Sequence, residues 1–215
     1  MRDRRHGLDY HGAVVTVEIV YETHSLTTDN EAGFATGWLP GRLSETGRRF
    51  ASELGRRRQS DNAAAVFVSD LGRAVETAQI AFARSGIPIH QDARLRECNY
   101  GALNGAPVAL LAAQQGRHID QPYPDGQSYR QVVDQMRDFL RDLAATWDGR
   151  NVVVISHSAN KWALDCLLHG AALEDLVDAP FNWQEGWLYL LPTGWTDEDC
   201  SPDSQPDRTG RPTPR

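Results

Sequence analysis

Residues Asn151 to Ser156 read Asn-Val-Val-Val-Ile-Ser, a β-branched run with no polar alternation. A strand with one wet face alternates apolar and polar residues. An unbroken apolar run asks for burial on both faces, as in a parallel sheet covered by helices. Val15–Tyr21 and Ala63–Val68 are strands of similar composition. Between them lie helical patterns. Ser44 can cap a helix running to about Gln59, and Ser69 or Asp70 one over Leu71–Arg84. Gln127–Trp147 is the clearest, because Val132, Val133, Met136, Phe139, Leu140 and Leu143 recur at steps of three and four. Ala159–His169 follows the apolar run directly. This alternation predicts an α/β fold, a three-layer α/β/α domain with a mainly parallel central sheet. Gly86–Ile89 reads as an edge strand because of Pro88, Ala106–Gln115 as a short helix, Gly116–Gly126 as a loop, and Trp187–Leu191 as the last strand.

A chain of 215 residues, 40% hydrophobic and 24% charged, suits one domain with tails. The polar stretch 1–13 and the Pro- and Asp-rich stretch 193–215 have the composition of disordered tails, leaving 14–192 as the domain. The net charge of −7 speaks against nucleic acid as a partner. Cys98, Cys166 and Cys200 are widely spaced and unpaired in pattern, which fits free thiols in a reducing compartment. No secretory signal and no membrane-length apolar run is present, so the expected location is the cytoplasm, with no membrane partner. Oligomeric state is not legible; a homodimer is one outcome.

Three strand-to-helix junctions carry His24, Arg73 and His157. In an open parallel sheet such junctions share one edge, the edge where ligands bind. Arg73 falls in the first turn of its helix, an unfavourable place for a cation unless it serves an anion. Two histidines, an arginine and a nearby acid such as Glu97 are the parts needed for phosphoryl transfer without a metal. No closely spaced His/Asp/Glu cluster suggests a metal site. The arginines at 48, 49 and 56–58 read as a solvated helix face, Phe181, Trp183 and Trp187 as packing.

The order strand–His24…Asn30, then Ser69-Asp70-Leu71-Gly72-Arg73-Ala74-Val75-Glu76-Thr77-Ala78, then Leu95-Arg96-Glu97, then Ser156-His157-Ser158 resembles the histidine phosphatase superfamily in its phosphoglycerate mutase-like branch. The resemblance covers roughly Val15 to Leu191. It implies that His24 is the nucleophile, that Glu97 donates a proton to the leaving group, and that His157 stabilises charge on the transferring group. Arg73 and Asn30 would contact the phosphoryl oxygens. Ser158 and Lys161, in a segment that departs from the family, are further candidates for phosphate contact. The resemblance also implies that no metal or organic cofactor is needed. The short segment between Gly101 and Asp125 leaves only a small cap over the site, which suggests a small or exposed phosphorylated substrate. The chain departs from the family at its Arg-His-Gly tripeptide, which here is Thr23-His24-Ser25. The missing arginine would remove a strong contact, and Lys161 and Arg42 are the candidates to replace it. The expected activity is phosphomonoester hydrolysis through a phosphohistidine on His24. The alternatives are a mutase, which the short 101–125 segment opposes, and a catalytically weak phosphometabolite-binding protein, which Thr23 favours.

Overall fold

The computed structural model describes residues 16–196. The predicted tails fall almost wholly outside these residues. Within them, Trp195 is 4% exposed and packs into the core, so the folded part runs past Thr193.

The first strand is β1 (Thr16–Thr23), followed by a short helix α1 (Thr28–Glu31) and a two-residue strand β2 (Phe34–Ala35). Helix α2 (Glu45–Arg57) starts where Ser44 accepts a hydrogen bond from Gly47 N. Next come β3 (Ala65–Val68), α3 (Gly72–Ala81) and β4 (Ile89–Gln91). The middle of the chain forms β5 (Ala106–Pro107), α4 (Val108–Ala112) and the long α5 (Tyr129–Thr146). Ser128 and Gln131 close a reciprocal cap on α5. The chain ends in β6 (Asn151–Ser156), α6 (Ser158–His169), α7 (Leu173–Asp178) and β7 (Trp187–Pro192).

The main sheet has the order β4-β3-β6-β1-β7. Its strands are parallel except β7, which runs antiparallel to β1 on one edge. Strand β6 lies in the centre, and Val152 to Ile155 are all buried, as its unbroken apolar run requires. Val152 and Val154 face the cluster built on α5 and α6. Val153 and Ile155 face Leu54 of α2 and Ala74 and Ala78 of α3. The three layers expected from the sequence are therefore present. A small β2–β5 ribbon, with α4 beside it, stands apart from the main sheet.

One helix start differs from expectation. Neither Ser69 nor Asp70 caps α3; the cap position is Leu71, with no side-chain bond. Ser69 and Asp70 have other partners, His157 and Arg96. The edge position of β4 follows expectation, with Pro88 just before the strand giving its carbonyl to Val66 N.

Register places the site. Thr23 of β1 pairs with Ser156 of β6, and Val68 of β3 with Ile155. The carboxyl ends of the three central strands are thus level. His24 N bonds to Ser156 O at 2.9 Å and Ser69 N to Ile155 O at 3.1 Å, so the residues after each strand stay side by side.

Candidate active site

His24 begins the loop after β1. Its Nδ1 lies 2.7 Å from Ser25 O and, as the only available donor there, carries the proton. That leaves Nε2 as a lone pair, and Arg73 Nε donates to it at 3.2 Å. Burial, and then the Arg73 charge, lower the His24 pKa to about 3. The imidazole is therefore neutral and nucleophilic at ordinary pH.

Arg73, buried to 2% exposure, is held by three contacts on one side. Besides Nε to His24, its Nη2 donates to Gly37 O at 2.9 Å and lies 3.4 Å from His157 Nδ1. Its Nη1 is buried and has no hydrogen-bond partner among the described residues. A buried guanidinium N–H without an acceptor is costly, and an anionic oxygen beside it removes that cost. Arg73 makes no ion pair with Glu76, which instead pairs with Arg48.

His157 follows β6 as the cap position of α6. Its ring centroid lies 5.0 Å from that of His24. Nε2 meets Ser69 Oγ at 3.0 Å, which orients the ring. Burial, then Arg73 and His24, hold His157 well below its ordinary pKa. Glu97 closes the cluster. Its Oε1 accepts from Cys98 N at 2.8 Å and its Oε2 from Ser158 Oγ at 3.0 Å. Burial pushes its carboxyl up, against the pull of the Cys98 N–H, Arg73 and the Ser158 hydroxyl. Trp38 Nε1 donates to Glu97 O at 2.6 Å, and the Arg96 guanidinium stacks on the Trp38 ring.

Five of the seven residues expected at the site thus come together: His24, Arg73, Glu97, His157 and Ser158. The Ser158 hydroxyl is spent on Glu97, so it serves the acid. Asn30 borders the cleft, but its Oδ1 accepts from Thr27 N and its backbone N–H is received by Thr27 Oγ1. It is a capping residue of the loop, a role the Thr-x-x-Asn spacing could have signalled. Lys161 points elsewhere: it pairs with Asp165 and sits over the Trp187 ring. Arg42 does not line the cleft either.

The second cation of the cleft is Arg57. Its Nη2 lies 3.4 Å from the buried carboxylate of Glu22, and its Nε is buried without a partner among the described residues. Arg57 and Arg58 are therefore not part of a solvated face, although Arg56 is. The walls of the cleft also include Phe181 and Trp183, which correct the expectation of pure packing; Trp183 Nε1 donates to Thr23 Oγ1 at 3.2 Å. Among the described residues, no group of His, Cys, Asp and Glu is placed to hold a metal ion. No described helix is long and apolar enough to cross a membrane.

Comparison with known proteins fits this geometry. A family model described as histidine phosphatase superfamily (branch 1) matches residues 23–186. A probable phosphoglycerate mutase GpmB of Yersinia enterocolitica is 28% identical over 160 residues, 71% of this chain and 73% of its own. Bacillus stearothermophilus YhfR superposes with a TM-score of 0.70 at 24% identity, covering 85% of this chain and 99% of that one. A mycobacterial glucosyl-3-phosphoglycerate phosphatase, Rv2419c complexed with VO3, gives a TM-score of 0.66 at 25% identity over 76% of this chain and 86% of its own. The family match spans both histidine junctions and everything between them, and this chain belongs to branch 1 of the histidine phosphatase superfamily.

Proposed function

We propose that the protein is a phosphatase that hydrolyses phosphomonoesters through a phosphohistidine on His24. One observation carries this reading. The His24 Nε2 lone pair faces the Arg73 guanidinium, whose buried Nη1 is left without an acceptor. A phosphoryl group between them satisfies both.

In the first step Nε2 attacks phosphorus, the P–O bond to the leaving group breaks, and Glu97 gives its proton to the departing oxygen. Arg73, His157 and the positive N-terminal end of α6 stabilise the transferring oxygens. In the second step water attacks phosphorus, its proton goes to the Glu97 carboxylate, and the P–N bond breaks to free His24. Nothing in this sequence of steps needs a metal.

The name of the Yersinia relative favours a second reading, that of a mutase. A mutase must hold its phosphoenzyme away from water, and here the cap is only the β2–β5 ribbon and the short α4. We favour water as the acceptor.

The test is phosphate release from a panel of monoesters with chelator present, with trapping of the acid-labile phosphoenzyme. Wild type should show a burst and turnover, and His24→Ala neither. Return of the phosphoryl group to substrate in place of free phosphate would select the mutase. Binding of phosphate compounds without any burst would select a binding protein.

A further inference from the structure

The cleft around His24 is far larger than a phosphoryl group and mostly hydrocarbon beyond it. Its volume is about 780 Å³, within the roughly 300–1,000 Å³ of sites that enclose drug-sized ligands. One wall is an aromatic run. Tyr129 and Trp162 have ring centroids 5.4 Å apart, and Trp162 and Phe181 6.5 Å. Trp183 continues it toward solvent, pinned to Thr23. Phe34 and Val108, from the β2–β5 ribbon and α4, also line the cleft. Exposed apolar side chains are common when scattered. Here Phe34, Val108 and Trp183 are 42%, 48% and 59% exposed, and all three line this one cleft. A concentration of this kind marks a ligand surface.

Charge points the same way. Arg73 and Arg57 are the cations of the lining. Arg73 belongs to the phosphoryl site. Arg57 lies between Glu22, at 3.4 Å, and Glu185, at 3.8 Å. The lining also holds Glu53, itself 3.7 Å from Arg56. Beyond Arg73, a leaving group bearing a carboxylate or a second phosphate would meet Glu22, Glu53 and Glu185 and one cation, Arg57, that Glu22 and Glu185 already share, with only its buried Nε left over. The leaving group must also start at Glu97, which protonates it, and so must extend along this lining.

Resting on the phosphatase reading, we infer that the substrate is the phosphomonoester of a bulky, uncharged alcohol with an aromatic or hydrocarbon body. A phosphorylated hydroxy acid does not fit. Carbon rings of the alcohol lie against Trp183 and Val108 while its oxygen lies at Glu97.

The experiment compares alkyl monoesters of similar leaving-group basicity, so that chemistry does not masquerade as recognition. The probes are 2-phenylethyl phosphate, glycerol phosphate and 3-phosphoglycerate. Expected is a kcat/KM for 2-phenylethyl phosphate on the order of 100-fold above that for 3-phosphoglycerate, with glycerol phosphate between them. Trp183→Ser and Val108→Ser, both at exposed positions, should each lower the ratio of 2-phenylethyl to glycerol phosphate roughly tenfold. Equal or higher kcat/KM for 3-phosphoglycerate overturns the inference and leaves the phosphatase reading standing. An unchanged ratio in both variants also overturns it, since the walls would then serve the fold alone. Absence of His24-dependent release from every ester removes the phosphatase reading and the inference with it.

Discussion

Glu97 and His24 are tuned in opposite directions by the same burial. Removing water disfavours the charged form of each. For His24 that form is the imidazolium, so its pKa falls to about 3 and the nucleophile stays unprotonated well below neutrality. For Glu97 it is the carboxylate, so its pKa rises and the proton needed by the leaving group is retained further toward neutral pH. On the proposed phosphatase mechanism, the reactive form has His24 free and Glu97 protonated. The sign follows: kcat/KM should be flat as pH falls through the ordinary histidine range, and should drop as pH rises through the Glu97 pKa. Glu97→Gln should lose about 10²–10³-fold on alkyl esters. On p-nitrophenyl phosphate, whose leaving group needs no proton, the loss should be far smaller and the alkaline limb absent. Equal losses on both substrates would deny Glu97 its role as acid. The sequence showed these residues because chemistry-bearing side chains at strand ends leave a local mark. It put Lys161 in the cleft, where the structure pairs it with Asp165, and it did not show that Asn30, which does border the cleft, also caps its loop by accepting from Thr27 N; only geometry shows which partner a polar atom takes.

Elements transmit position to those residues. The loop after β1 is held from two sides. Thr77 of α3 accepts from Ser25 N at 3.0 Å while donating to Arg73 O at 2.8 Å, so one hydroxyl ties the nucleophile loop to the arginine's own helix. On the other side α2 presses its first turn against Leu26. A Cβ on Gly47 would stand 1.9 Å from Leu26 O, a backbone atom that cannot turn aside. Gly47→Ala must therefore push the loop and α2 apart. Overpacking of this kind costs about 1–3 kcal/mol, and it should appear in two readouts. Denaturant midpoints should fall, and kcat should fall by roughly tenfold or more because His24 is displaced from Arg73. A stable variant with unchanged kcat would show that the contact is slack. The helices were readable for different reasons: α5 repeats an apolar stripe, α2 and α3 follow Ser or Asp cap candidates, and α6 directly follows the apolar run of β6. The β2–β5 ribbon was not, since two-residue strands such as Phe34–Ala35 have no period to detect, and neither was the wall from Pro180 to Glu185, where no regular pattern runs.

At the scale of the whole molecule, one buried acid joins the sheet, a helix and the aromatic wall. Glu22, 1% exposed at the end of β1, receives Arg58 Nε at 2.8 Å from the end of α2. Arg58 Nη2 also donates to Glu185 O at 2.8 Å, in the segment carrying Trp183. Gly186 makes room for this: with φ of +86°, a Cβ there would fall 2.1 Å from Arg58 Nη2. The pair is not legible in sequence, since Glu22 and the arginines at 57 and 58 lie far apart and read separately as strand end and helix face. A buried pair contributes little net stability against an apolar replacement, but a half-broken one leaves a charge without water or partner. Arg58→Met should therefore cost about 3 kcal/mol, moderated by Arg57, and should loosen the wall. Glu22→Leu combined with Arg58→Met should recover part of the lost stability, because the buried carboxylate is then gone and Arg57, the one charge that loses it as a partner, keeps Glu185 at 3.8 Å. The wall should stay loose in the double variant, since the bond to Glu185 O is still missing. Denaturant unfolding of the two single variants and the double variant would measure the coupling, and the 2-phenylethyl to glycerol phosphate ratio would report the wall. A double variant as unstable as the sum of the singles would show that Glu22 and Arg58 act independently. Recovery of stability without recovery of the ratio would separate what the ion pair does for the fold from what it does for the cleft.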